Sequence, residues 1–101
     1  MGKKLSPSQL ELYQYIDDLL WKDWDPIGVY AVPEARDEYH GYLPVVFGKA
    51  IHGKSVKEIA EYLGQIETDS MGISCNIKGN LIVAEKIFRK AHLLLEGVSN
   101  E

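Results

Sequence analysis

The chain has almost no cysteine and no excess of positive charge. These two shortages disfavour a disulfide-stabilised protein and a nucleic-acid-binding protein. Cys75 is the only cysteine among 101 residues, so no internal disulfide can form, and a lone thiol fits a reducing compartment. Eleven basic residues stand against 15 acidic ones, a balance that disfavours binding to a nucleic-acid backbone. No apolar run approaches the roughly 18 residues that a membrane-spanning helix needs.

The shortages together predict a cytoplasmic protein that binds neither nucleic acid nor a membrane. The amino-terminal residues include Lys3 and Lys4 but no apolar stretch behind them, so we expect no secretory signal. A length of 101 residues predicts a single domain, 1–101. With 46% hydrophobic residues, the chain can form a stable core without a disulfide or a structural metal ion.

Four amphipathic segments predict an all-α fold, a compact bundle of about four helices. Ser6 with Gln9, and Ser55 with Glu58, have the capping-box spacing that begins a helix. Apolar residues then recur at spacings of three and four, and in the last segment we expect the set Leu81, Ala84, Ile87, Phe88, Ala91, Leu94 and Leu95 to face inward. The first three predicted helices span about 7–24, 41–52 and 55–71. The fourth is capped by Asn76 or Asn80 and ends at Gly97.

The segment 25–35 carries two prolines and a glycine among apolar residues, which predicts an ordered loop between the first and second helices. Four residues, Asp23, Asp25, Gly28 and Glu34, occupy the first, third, sixth and twelfth positions of an EF-hand calcium loop. Ile27 stands where a fifth oxygen ligand belongs, and the prolines alter the backbone. We therefore favour a proline-bounded loop and predict no metal site.

Acidic residues lie at the two ends of this loop and again at 67–69, and they could form a polar patch if the fold brings the two segments together. The candidate patch consists of Asp25, Arg36, Asp37, Glu38, Tyr39, Glu67 and Asp69. The alternative is that these acids face solvent near helix starts, where a carboxylate complements the helix dipole.

Two aromatic residues, Tyr15 and Trp21, lie outside the apolar stripe of the first predicted helix. Aromatic side chains in such positions often anchor protein–protein interfaces. The three histidines have no ligand-like spacing to one another or to Cys75, which we expect to act as a small apolar side chain. No residue set has the pattern of a catalytic or cofactor motif, so we predict no cofactor.

Several short motifs make the chain similar to a family of small bacterial helical proteins known as a domain of unknown function. They are W-D-P-I-G-V at 24–29, D-E-Y at 37–39, G-Y-L-P at 41–44, I-E-T-D-S-M-G at 66–72 and A-E-K at 84–86. The resemblance covers nearly the whole chain and implies a cytoplasmic helical protein, some of whose relatives look like immunity partners of toxins. It implies no catalytic residue, and His40 stands where the family commonly has a further acid.

These observations favour a non-enzymatic protein-binding module, immunity-like or regulatory, that covers a basic surface of a protein partner. One alternative is a small hydrolase, carboxylate-based or metal-dependent, using Asp25, Asp37, Glu38 and Glu67. Another is a structural homodimer formed through the first helix.

Overall fold

The computed structural model describes residues 5–25, 28, 32, 34 and 39–96, and these form an all-α bundle of four helices without any strand. The helices are α1 (Pro7–Leu19), α2 (Leu43–Ile51), α3 (Val56–Gln65) and α4 (Ile77–Ala91). Three of them continue into a π-helical turn: Leu20–Trp24 after α1, Ile66–Ser70 after α3 and His92–Glu96 after α4. Within this part of the chain, no helix combines the length and the apolarity that crossing a bilayer requires.

Local sequence signals place the helix starts where they were predicted. In α1 the Ser6 hydroxyl accepts from the backbone N–H of Gln9 at 3.1 Å, and the Gln9 side chain accepts from the backbone N–H of Ser6 at 3.0 Å. Ser55 and Glu58 make the same reciprocal pair at α3. Asn76 caps α4 by accepting from the backbone N–H of Gly79 at 3.1 Å. Each cap satisfies backbone donors that a helix start otherwise leaves open.

The predicted apolar stripes of the first three helices meet in one core. Its fully buried aliphatic side chains include Leu12 and Ile16 of α1, Val46 of α2, and Ile59 and Leu63 of α3. The α3–α4 pair makes the most extensive contact between elements, so these two helices form the central packing unit of the bundle. Pro44 lies in the first turn of α2, where its missing N–H breaks no helical hydrogen bond.

The prediction for α4 was partly wrong. Leu81 and Phe88 were expected to face inward, but their exposed fractions are 41% and 38%. Ala84, Ile87 and Ala91 are buried as predicted, and Asn80 and Val83 are buried beside them. Apolar residues cover more of this helix than one core-facing stripe needs, so periodicity alone could not show which edge is buried. The exposed edge is available for another contact.

The π-helical turn after α1 corrects the prediction for Trp21. This residue was expected to lie off the buried stripe, yet it is only 7% exposed and packs in the core with Leu20 and Trp24. The backbone N–H of Asp25 donates to the carbonyl of Leu20 at 3.0 Å, an i to i+5 bond that widens the turn. More residues face the core in a wider turn, so the 3.6-residue periodicity of an α-helix does not predict which side chains are buried here.

The chain reverses direction after two of these π-helical turns through left-handed residues. Asp25 has a φ of 30° after the first, and Gly72 has a φ of 68° after the one that follows α3. Glycine adopts positive φ without a Cβ clash, which suits Gly72 to end this segment. Most of the predicted loop 25–35 lies outside the described residues.

Candidate functional site

A buried carboxylate is the centre of a polar cluster that joins three elements. Glu67, in the π-helical turn after α3, is 2% exposed. Its Oε2 accepts a hydrogen bond from the indole Nε1 of Trp24 at 2.9 Å. Its Oε1 accepts from the Nδ2 of Asn80 and from the backbone N–H of Asn76, both at 2.9 Å. Three donors thus replace the water that this carboxylate loses on burial.

Asn80 completes the cluster from α4, where it is 1% exposed. Its Oδ1 accepts from the Nε1 of Trp24 at 3.1 Å, so the indole N–H is shared between Asn80 and Glu67. No buried side-chain polar atom among the described residues lacks a hydrogen-bond partner. Trp24, Glu67 and Asn80 are thus hydrogen-bonded to one another, and these three side chains are here called the buried triad.

Aromatic rings cover the buried triad on the side of residues 39–42. The ring centroid of Trp24 lies 5.3 Å from that of Tyr39 and 6.2 Å from that of Tyr42, the latter pair edge-to-face. The hydroxyl of Tyr39 donates to Oδ1 of Asp25 at 2.7 Å. The rings pack against the indole that donates to Glu67, and the Tyr39–Asp25 bond joins the segment before α2 to the residue that follows the first π-helical turn.

The structure brings together only some residues of the predicted polar patch. Asp25 and Tyr39 are hydrogen-bonded to each other, and Glu67 bonds to Trp24, the neighbour of Asp25. Glu67 is buried inside the bundle rather than part of a surface patch, while Asp69 is exposed. The remaining candidates, Arg36, Asp37 and Glu38, lie outside the described residues.

Sequence reasoning missed Trp24 as a hydrogen-bond donor and missed Asn80 altogether as a site residue. The available signal was the asparagine itself, which shares the helical spacing of Val83, Ala84 and Ile87. A polar residue within an apolar stripe needs a buried partner. That partner could not be named from sequence, because Glu67 and Trp24 lie 13 and 56 residues away from Asn80 along the chain.

Two other residues singled out from the sequence, Tyr15 and Asp23, lie next to lysine side chains of α4. Tyr15 is partly buried, and the Nζ of Lys90 lies 5.2 Å from its ring centroid. Asp23, the first residue of the calcium-loop pattern, bonds through Oδ2 to the Nζ of Lys86 at 2.7 Å, and this hydrogen bond raises the pKa of Lys86. The described residues contain no group of three or more His, Cys, Asp or Glu side chains arranged to hold a metal ion.

An apolar cleft of about 690 Å³ lies between α3 and α4, next to the buried triad. Ala60 and Gly64 of α3 lie on one side and Ile77 and Leu81 of α4 on the other, with Cys75 and Asn80 between them; Lys57, Glu61, Gln65 and Thr68 complete the lining. A volume of this size falls in the range of ligand and peptide pockets in proteins. This space is here called the α3–α4 cleft.

The buried triad determines the shape of one end of the α3–α4 cleft. Glu67 accepts from the backbone N–H of Asn76, which fixes the turn that carries Cys75. A Cβ atom on Gly64 would lie 2.7 Å from the Sγ of Cys75, so only glycine lets the two segments approach this closely. The cleft therefore has a preformed wall rather than one that assembles on binding.

Comparison with family models, curated proteins and solved structures finds no match to this chain. The similarity to a bacterial domain of unknown function therefore stays a prediction. Function has to be argued from the geometry of the cleft and of α4.

Proposed function

We propose that this chain is a non-enzymatic protein-binding module that holds an amphipathic helix in the α3–α4 cleft. The observation that carries the proposal is a preformed apolar cleft bordered by exposed aliphatic side chains of α4. Ile77 and Leu81 are 66% and 41% exposed on its edge. Burying such side chains against a partner releases about 25 cal/mol for each Å² removed from water.

The shape of the cleft supports a helix as the bound element. Ala60, one turn before Gly64 on α3, has a small side chain that leaves room for side chains of a partner, whereas the Sγ of Cys75 covers the backbone at Gly64. Lys57 and Glu61 lie on the outer edge of α3 and remain exposed. An apolar floor with charged edges is the arrangement that receives the apolar face of an amphipathic helix.

The alternative of a carboxylate-based hydrolase requires acids that are free to act on a substrate in a shared pocket. Both oxygens of Glu67 accept hydrogen bonds from protein donors, and the Asp25 carboxylate accepts from Tyr39. The cleft lining contains one acid, Glu61, on its outer edge. The geometry therefore favours the binding module, whether immunity-like or regulatory in the cell.

Two single substitutions on α4 test the binding module with a matched control. Leu81→Lys places a charge on the cleft wall, whereas Ile82→Lys places the same charge on the next residue, which is 58% exposed but does not line the cleft. Each tagged variant is used as bait in lysate of the source organism. We expect at least one protein to be recovered by the wild type and by Ile82→Lys but lost with Leu81→Lys. Identical recoveries for all three baits would refute the proposal.

A further inference from the structure

Gly64 marks a point of very close packing between α3 and the turn before α4. It is buried, and a Cβ atom there would lie 2.7 Å from the Sγ of Cys75 and 3.7 Å from the Nδ2 of Asn80. Non-bonded heavy atoms pack at about 3.5 to 4.0 Å, so the Sγ would have to move by roughly 1 Å to admit one methyl group. The thiol therefore occupies the space that a larger residue at position 64 would need.

Hydrogen bonds hold the surroundings of this thiol in place. The Nδ2 of Asn80 donates to the Sγ of Cys75 at 3.9 Å and to Glu67 at 2.9 Å. Glu67 also accepts from the backbone N–H of Asn76, the residue after Cys75. Because these bonds hold Asn80 and the turn, and because Cys75 is exposed and lines the cleft, a displaced Sγ would move into the cleft.

The part of the cleft beside Gly64 is apolar and has room for a side chain. Ala60 is 8% exposed one helical turn before Gly64, and Leu81 of α4, which is 41% exposed, belongs to the other wall. A charged anchor would lose water here and gain no hydrogen bond from Ala60 or Leu81. A small anchor would leave the atoms of these walls without dispersion contacts. The space therefore suits a large apolar side chain.

We propose that the helix bound in the α3–α4 cleft inserts a large aliphatic side chain, such as leucine or methionine, between Ala60 and Leu81. This inference rests on the binding function proposed above and names the chemistry of the partner's anchor. Gly64 is then a specificity-determining residue of the cleft. It lets the Sγ of Cys75 lie back against α3, which leaves the depth of the cleft to the anchor.

Alkyl chains attached to Cys75 test this inference without an identified partner. An alkyl methanethiosulfonate forms a disulfide with the thiol and releases methanesulfinate, and Cys75 is the only cysteine, so labelling is confined to the cleft. We expect thermal unfolding of the butyl-labelled wild type to have a midpoint about 4 °C or more above that of the methyl-labelled protein, because buried methylene groups stabilise the fold. A charged sulfonatoethyl label is expected to give no such rise. The absence of a rise with butyl, or an equal rise with sulfonatoethyl, overturns the inference.

Two glycine substitutions test the role of position 64. Gly64→Ala is expected to lose most of the rise that butyl gives, because the new methyl group and the displaced Sγ take up the space. Gly48→Ala makes the same change in α2, where a Cβ atom meets open space among the described residues, and is expected to keep the rise. An undiminished rise in Gly64→Ala contradicts the specificity role.

Leu81→Lys is a second cleft variant at an exposed position, and it decides the question if circular dichroism shows that Gly64→Ala does not fold. We expect Leu81→Lys to reduce the butyl-dependent rise, because it removes the aliphatic wall; a full rise in this variant overturns the inference.

The outcomes separate this inference from the binding function. If the lysate yields a Leu81-dependent protein but the butyl label gives no rise, the binding module stands and the aliphatic anchor is excluded. If the lysate yields no such protein, the binding module falls, and this inference falls with it.

Discussion

Replacing Glu67 by alanine is expected to lower the free energy of unfolding by about 3 to 5 kcal/mol, among the largest effects of any single substitution in this chain. The change removes the acceptor for three donors: the Trp24 indole, the Asn80 amide and the backbone N–H of Asn76. The indole keeps Asn80 as an acceptor, but the buried Asn80 amide is left with only the Sγ of Cys75 at 3.9 Å, a weak acceptor. Urea denaturation followed by circular dichroism measures the loss.

The control for Glu67 is Glu61→Gln, a change at an exposed glutamate of α3 that is expected to alter stability by less than about 0.5 kcal/mol. Glu67→Gln keeps the volume of the side chain and changes only its hydrogen bonding. The glutamine amide replaces one acceptor oxygen with a donor, which then faces the N–H of Trp24 or the N–H of Asn76. In a Trp24→Phe background the indole donor is gone, so we expect Glu67→Gln to be less destabilising there than in the wild type. Equal losses in both backgrounds would show that the two side chains are not coupled.

The second large effect is expected from Trp24→Ala, which should destabilise the chain by about 3 to 5 kcal/mol. The indole is buried, packs against Tyr39 and Tyr42, and donates to the buried triad. Loss of the indole leaves a cavity and also removes a hydrogen-bond donor from Glu67. Both losses lower the free energy of unfolding, so their effects add. Urea denaturation gives the loss, and near-ultraviolet circular dichroism reports whether the remaining aromatic rings keep their packing.

A comparison with Trp24→Phe divides that effect into its two parts. Phenylalanine keeps most of the ring contact with Tyr39 and Tyr42 but lacks the N–H, so its cost measures mainly the hydrogen bond. We expect Trp24→Phe to be clearly less destabilising than Trp24→Ala. If phenylalanine costs nothing, the indole donor does not stabilise Glu67, and the buried triad has no energetic role.

Short-range signals made the helix starts and the fold class predictable from sequence. A capping box needs only four residues, and both boxes formed with their expected partners at Ser6 and Ser55. The positive φ of Gly72 was equally local. Such features do not depend on the rest of the chain, so sequence patterns alone identify them.

The site was not predictable because it depends on packing between distant segments. Glu67 was grouped with the surface acids although it stands four residues after Leu63, on the apolar stripe of the third predicted helix; the sequence could not name the distant donors that make its burial possible. Trp21 was misplaced for another reason, the π-helical turn at the end of α1. A widened turn shifts which side chains face the core, and no local pattern in that segment predicts it.

The buried triad also explains why a structural cluster matters for binding. Glu67 fixes the Asn76 turn, this turn positions Cys75, and Cys75 together with Gly64 shapes the end of the α3–α4 cleft. Loss of the triad should therefore disturb the cleft before it abolishes the helices. Stability and binding are coupled here through one short segment of backbone.

The rate at which a thiol reagent modifies Cys75 tests most directly whether a helix covers the α3–α4 cleft. Cys75 is the only thiol in the chain, is exposed and lines the cleft. We expect the rate constant for the wild type and for Ile82→Lys to fall when the protein recovered from the lysate is bound, and the rate constant for Leu81→Lys to stay high. A wild-type rate constant that is the same with and without that protein would contradict the occupied cleft.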